Sequence, residues 1–412
     1  MLFAIIIIVL FAVVTYFHYI QGGFTAVISA GCAFFALCVA FGYYEYVAGM
    51  FSPGRFADYM PAMLLIGLFG VTYIVLRAVV DGLVPGNISL PLYVDRIGAV
   101  LFGAIAAAIG VGIFAVGAQL MPFGPDVGGH VRYEIRDRTG IIVPAAIIGG
   151  RGSDQDAVVK SEVITDVLDP ANAQALLLPI DDFAVSLAGL ASDNSLGAGG
   201  PSLRTIHPDL LGQAFINRTG PQLGGKRVVL NTGGVESATL VDVFTVPGAK
   251  LLDTEIPTFR EASKSYSPKL PEPHVLVAFR VNFSGPAADS DGFVRIPQGS
   301  VRLVTDEEVF HAIGTGENAG VVGAGRLDDV IVIPLRGDVK GADFVFAMAP
   351  ETLERIAPSR KFEADAGFLE IKMFGRLDIG GRTVTTYKPD PTVKVLRKKT
   401  SPVGAVASPP AN

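Results

Sequence analysis

Met1 to Tyr44 contains no Asp, Glu, Lys or Arg. A run of that kind is hard to place in a water-soluble core, whereas a bilayer crossing needs about 20 mostly apolar residues. The run breaks at Gln21-Gly22-Gly23, which divides it into spans at about 2–19 and 24–44. Tyr59–Leu76 is also charge-free, between Asp58 and Arg77, and so is Ile97–Pro125, between Arg96 and Asp126. These give two more spans, at about 59–77 and 97–121. A cleaved signal peptide fits the first segment poorly, because no basic residue precedes it and further spans follow at once.

Composition divides the chain in the same place. Only 17% of the 412 residues are charged, against about 25% in soluble domains. Residues 1–126 hold three basic and five acidic residues, which leaves 30 of the 33 basic and 34 of the 39 acidic residues for 127–412. The C-terminal part therefore has ordinary soluble composition. A net charge of −6 gives no electrostatic reason to expect nucleic acid, and Arg397-Lys398-Lys399 reads as a solvated tail. Cys32 and Cys38 lie six residues apart in an apolar run, on roughly opposite helix faces. They read as buried thiols, not as a disulfide or a metal site.

Helices in lipid pack through small residues, since lipid offers no hydrophobic drive between them. The fourth span has two such rows, Ala99-Gly103-Ala107 and Ala104-Ala108-Gly112. Either is a packing face, within the chain or between copies in an oligomer. Arg77 and Asp81 sit at the i,i+4 spacing of a helical ion pair. Four spans put both termini on one side. The third loop carries Arg77 and Arg96 and the second only Arg55, so the positive-inside rule puts loop three in the cytoplasm and both termini outside. Arg132, Arg136 and Arg138 follow the last span and argue the other way.

Asp95-Arg96-Ile97-Gly98-Ala99-Val100-Leu101-Phe102-Gly103 resembles the entry to the last span of the colicin V production (CvpA) family, which has an Asp-Arg, a Gly and then a Phe-Gly. Gly31-Cys32-Ala33-Phe34-Phe35 through Tyr43-Tyr44, with Gly22-Gly23-Phe24 before it, is similar to that family's second span. The resemblance covers about residues 1–121. It makes Asp95, Arg96, Gly98, Phe102 and Gly103 the motif and helix-packing residues. It implies a bacterial cytoplasmic-membrane protein with loops one and three inside, and an envelope role in toxin production, export or homeostasis. The family usually carries arginines around its first-loop Gly-Phe, where this chain has Gln21 and Gly22. Apart from the family, an acid-base pair at a span's start is an interfacial anchor, and Asp95 near a helix N-terminus complements the macrodipole.

From 127 onward, short apolar and β-branched runs are separated by Gly, Pro, Asn and Asp. They are Val131–Ile135, Ile141–Ile148, Val228–Leu230, Ala238–Val246, Val275–Phe283, Phe293–Val304, Val330–Leu335, Phe344–Met348 and Phe368–Leu377. Val275–Phe283 alternates as a half-buried strand does. The spacing predicts a mainly-β region of immunoglobulin-like β-sandwich type, with short helices near Leu176–Leu178, Ala184–Leu190, Pro208–Phe215 and Pro350–Ile356. The Pro- and Lys-rich segment 265–274 divides it into β-rich parts at 127–268 and 273–393, followed by a disordered tail at 394–412.

No chemistry emerges from this region. A serine protease needs a nucleophile in a tight turn, a base and an orienting acid, and no Gly-Asp-Ser-Gly-Gly is present. His130, His207, His274 and His311 are scattered, with no pair at metal-ligand spacing. Asp181-Asp182, Asp289/Asp291, Asp306-Glu307-Glu308 and Asp328-Asp329 read as solvated turns. The expectation is a non-enzymatic, cofactor-free membrane protein whose extracytoplasmic domain binds an envelope protein or cell-wall component. A channel or transporter subunit and a membrane-tethered hydrolase are the alternatives.

Overall fold

A backbone N–H or C=O in hydrocarbon has no water to bond, so an apolar run that crosses a bilayer satisfies itself as a helix. The four apolar runs are helices in the structure, a computed structural model that describes residues 2–50, 59–84, 91–122, 126–133, 173–193, 202–219, 238–246, 250–251, 273–288 and most of 292–395. They are α1 (Leu2–Gln21), α2 (Gly23–Met50), α3 (Met60–Leu83) and α4 (Leu92–Leu120), each long and apolar enough to cross a membrane. Three of them outrun the expected spans: α2 continues past Tyr44, α3 past Arg77, and α4 begins at Leu92, ahead of Asp95-Arg96. Charge marks the end of the hydrocarbon, but it does not stop a helix. α4 ends where Met121 turns extended (ψ 143°) ahead of Pro122.

Gly22 alone reverses the chain between α1 and α2, at φ +97°, a conformation open to glycine. This turn and the start of α4 form one end of the bundle. The start of α1 lies at the other end, where the Phe3 amide donates to Gly128 O (2.9 Å). Arg77 on α3 pairs with Asp81 as its spacing suggested (3.0 Å), and it also donates to Thr25 O and Ser29 Oγ of α2. Cys32 and Cys38 are free thiols, Cys32 buried as expected but Cys38 only partly buried.

Helices α5 (Ile180–Ser192), α6 (Leu203–Ile206) and α7 (Leu210–Thr219) follow the bundle. The strands are β1 (Ala238–Thr245), β2 (Lys250–Leu251), β3 (Val275–Phe283), β4 (Phe293–Pro297), β5 (Val301–Val304), β6 (Val309–His311), β7 (Gly314–Glu317), β8 (Val321–Ala324), β9 (Val330–Pro334), β10 (Gly341–Met348), β11 (Phe368–Ile371), β12 (Gly375–Asp378) and β13 (Val384–Thr386), with α8 (Pro350–Ile356) after β10. The region is mainly β. It has a seven-stranded sheet, β13-β1-β3-β10-β7-β8-β2, a four-stranded sheet, β12-β11-β5-β6, and the pair β4-β9. Most neighbours are antiparallel, but β1 pairs with β13 and β2 with β8 in parallel. Among the described residues no sheet closes into a barrel. All three sheets share one core, which includes Leu240, Phe279, Phe344, Leu303, Leu369, Val294 and Ile333. β1 precedes the segment 265–274 and hydrogen-bonds to β3 after it, so the large sheet draws on chain from both sides.

Several expectations need correction. β3 is buried on both faces, not half-buried. Val277, Phe279, Val281 and Phe283 enter the main core, while Leu276 and Ala278 join a second cluster with Phe244 and Val345. The reason is that a cluster packs on each face of the sheet at β3, the main core on one and the Phe244–Val345 cluster on the other. Arg280 lies on that second face, paired with Asp343 through two bonds of 2.8 Å. Phe293–Val304 is two strands in different sheets, parted by a 3-10 turn at Gln298–Ser300, and Phe368–Leu377 is the pair β11/β12. Leu176–Leu178 is not helical, since the helix starts only after Pro179. Residues 131–133 form no strand; the buried Arg132 and Tyr133 pair with Asp182 (2.7 Å) and Asp209 (2.6 Å). Asp181-Asp182 opens α5, where acids complement the helix dipole, and does not form a turn. The strands expected at Ile141–Ile148 and Val228–Leu230, the Asp289/Asp291 and Asp328-Asp329 acids, residues 265–272 and the end of the tail lie outside the described residues.

Candidate functional site

Four of the five motif residues, Asp95, Arg96, Gly98 and Gly103, converge on the α1–α2 turn and the end of α1 before it. Asp95 Oδ1 accepts from the Gly23 amide (2.7 Å), which caps the N-terminus of α2 from another helix. Arg96 donates to Tyr19 O (2.7 Å), near the C-terminus of α1, and its guanidinium stacks 4.7 Å from the Tyr19 ring. Adjacent residues of α4 thus clasp the two sides of one turn. Glycines permit the approach. A Cβ on Gly23 would stand 2.7 Å from Asp95 O, Gly98 faces Gly23 Cα, and a Cβ on Gly103 would meet His18 Cβ at 2.5 Å. Phe102 is half-buried. Replacing Asp95 with Ala is expected to lower stability by about 1 kcal/mol, the usual loss of a cap, measured as the unfolding midpoint of the full chain in detergent. An unchanged midpoint would show the clasp to be idle.

A larger assembly of charge lies at the opposite end of the bundle. α2 carries one charged residue, Glu45, 22 residues past Gly23 and so about 33 Å along the axis, where the hydrocarbon ends. Its carboxylate accepts from Tyr44 Oη (2.7 Å), meets His207 Nε2 (2.8 Å) and pairs with Arg376 of β12. His207, which closes α6, has its side chain wholly buried, with Nδ1 on Gln213 Oε1 of α7 (2.6 Å). Arg302 lies 3.4 Å from the same nitrogen, donates to Ile206 O (2.9 Å) and pairs with Glu370, its Nε 2.8 Å from Oε2.

Sheet register explains how these groups meet. Arg376, Glu370, Arg302 and His311 are successive Cα partners across β12, β11, β5 and β6. They form one row across the four-stranded sheet, with opposite charges side by side. Leu303, Leu369 and Ile371 alternate with the row and point into the main core. The charged face therefore meets Glu45 and His207, where water is excluded and each charge needs a partner. Glu370 Oε1 and Arg376 Nε are buried and have no hydrogen-bond partner among the described residues. A network with open valences yields to entering water more readily than a closed one.

No family model, no curated relative and no solved structure matches this chain. The site's chemistry must therefore be read from its geometry. With both ring nitrogens of His207 engaged, the cluster holds elements together; a general base would need a free nitrogen facing a nucleophile. An open depression of about 490 Å³ nearby is lined by Asp193, Ser202, Arg204, Thr205, Pro208 and Val309. Its Ser202 and Thr205 hydroxyls bond each other (3.1 Å), and Asp193 pairs with Arg204 (3.3 Å). Among the described residues no three His, Cys, Asp or Glu groups are placed to hold a metal ion. Sequence pattern gave no notice of this junction. The available signal was a lone Glu at the end of an otherwise uncharged apolar run.

His311, at the end of the row, adds a pH term. Burial, and then the neighbouring Arg302 charge, hold its imidazole down to about 4. The unfolded chain, with a value near 6.5, binds the proton first as the pH falls. The contribution is therefore complete above about 6.5 and is lost between about 6.5 and 4. Wild type is expected to lose about 1–2 kcal/mol more than His311→Asn between pH 7.5 and 4.5, after allowance for solvent screening. Parallel denaturant titrations at the two pH values measure the difference, and equal losses would contradict it.

Proposed function

We propose that this chain is a non-enzymatic, CvpA-type protein of the bacterial cytoplasmic membrane. Its β region, read as an immunoglobulin-like sandwich, faces the extracytoplasmic side and binds an envelope protein or a cell-wall component. The role is one in the envelope, in toxin production or export or in homeostasis. The observation that carries this reading is the buried junction of Glu45 and His207 with the Arg302–Glu370 row, which fixes the β region onto the bundle as a platform. A tethered catalytic domain would more readily sit on a linker and show a cleft with converging groups.

Charge supports the orientation. Arg77 and Arg96 both lie at the end of the bundle away from the β region, which favours that end as cytoplasmic. Of Arg132, Arg136 and Arg138, which count against it in the sequence, Arg132 has its charge paired with Asp182 (2.7 Å). A topology reporter fused after residue 393 tests the reading. Activity in the periplasm is expected, and activity in the cytoplasm would overturn the envelope-facing role.

A further inference from the structure

α5 follows the fourth span and reads by composition as part of the soluble region, yet its position is inside the bundle. Gly112 of α4 accepts it so closely that a Cβ there would stand 2.4 Å from Ile180 O and 2.8 Å from Ala184 Cβ. Ile180 packs with Phe3 and Ile7 of α1 and with Val111 and Ala115 of α4. Ala184 and Ala188 pack with Leu37 and Phe41 of α2 and Ile113 of α4. These are span residues. Hydrocarbon of about 30 Å covers about 20 helical residues, so counted from Arg96 it ends near residue 116, and Gly112 lies about 6 Å below that level.

The surface of α5 fits that depth. From Phe183 to Ser192 it carries no Asp, Glu, Lys or Arg. Its outward stripe is Phe183, Ser186 and Leu190, at i, i+3 and i+7, with Phe183 41% and Leu190 49% exposed, while Leu187 is partly buried against the bundle. Polar groups stand at both ends and beside the last turns, where the Arg204 side chain lies against Gly189 and donates to Ser186 O (3.4 Å). Asp181 is buried against Gln119 (2.7 Å) and Asp182 is paired with Arg132, while Asp193 is paired with Arg204 beyond the C-terminus. An apolar flank bordered by polar groups describes a helix lying in the plane of an interface. On α1, which Ile180 packs against, Ile6 and Val9 are likewise exposed.

We propose that α5 is a fifth membrane element, embedded in the leaflet on the side of the β region, with Phe183 and Leu190 against lipid acyl chains. This rests on the four helices crossing the bilayer, so its test carries a separate control for them. The chain contains no tryptophan, so one introduced indole reports its own surroundings. Full-length Phe183→Trp is reconstituted in phosphatidylcholine vesicles with or without bromine on the acyl chains. Ile74→Trp on α3 serves as the lipid control and Val241→Trp on β1 as the water control. The expected result is quenching by bromolipid of Phe183→Trp, roughly twofold and comparable with Ile74→Trp, with no quenching by iodide. Leu190→Trp, on the same stripe, is expected to behave alike and stands in if Phe183→Trp fails to reconstitute. Quenching by iodide, as for Val241→Trp, would overturn the proposal, as would quenching by neither agent, which would mean that protein covers the stripe. Loss of bromolipid quenching at Ile74→Trp itself would instead overturn the spanning assignment.

Discussion

Replacing Arg302 with Met is expected to lower the stability of the full chain by about 3–5 kcal/mol, the loss found when one partner of a buried ion pair is removed. Arg302 and Glu370 are each 1% exposed. The guanidinium bonds Glu370, Ile206 O and, at longer range, His207. Met fills much of the volume but leaves the Glu370 charge in a water-excluded place. The loss therefore measures stranded charge more than lost packing. Changing both partners, Arg302→Met with Glu370→Leu, removes the stranded charge and is expected to restore most of the stability. Denaturant titration in detergent gives both values. A loss below about 1 kcal/mol for the single change would show that water reaches the pair.

Glu45→Ala is expected to cost about 2–3 kcal/mol, less than Arg302→Met, because Arg376 is one-third exposed and can rehydrate. Its second effect is more telling. Glu45 is the point where α2 meets the β region, through Arg376 and His207. Without it, the sheets and the bundle are expected to unfold in separate steps, so that near- and far-ultraviolet probes no longer give coincident curves. Glu45→Gln, which keeps one hydrogen bond to His207 or Tyr44 but loses the charge, is expected to fall between wild type and Glu45→Ala. Coincident curves for all three would mean that the contact at Glu45 does not couple the two parts.

The bundle was legible in the sequence because lipid leaves an apolar run only one regular answer, and because charges border each run. What composition could not show is where the helices end. Glu45, Arg77 and Asp95 mark the limits of hydrocarbon while the backbone stays helical around them. The packing row containing Gly112 was legible as a face, but the neighbour of Gly112 was not: Gly112 meets α5. β3 announced itself by alternation, which identifies one buried face and is silent on a second. The Arg376-Glu370-Arg302-His311 row was beyond sequence reach, because strand register assembles it, and Glu45 joins it from 331 positions away. No local spacing encodes such a meeting, and each of these residues, met alone, reads as surface charge.

The direct test of the junction is a double-mutant cycle between Glu45 and His207, built from Glu45→Ala, His207→Ala and the double variant, with unfolding free energies measured for the full chain in detergent. The carboxylate–imidazole contact of 2.8 Å at a wholly buried histidine is expected to give a coupling of about 1.5–3 kcal/mol, the upper part of the range for residues that share one polar network. A coupling within about 0.3–0.5 kcal/mol of zero, the additivity of independent sites, would contradict a β region docked on the membrane bundle through Glu45.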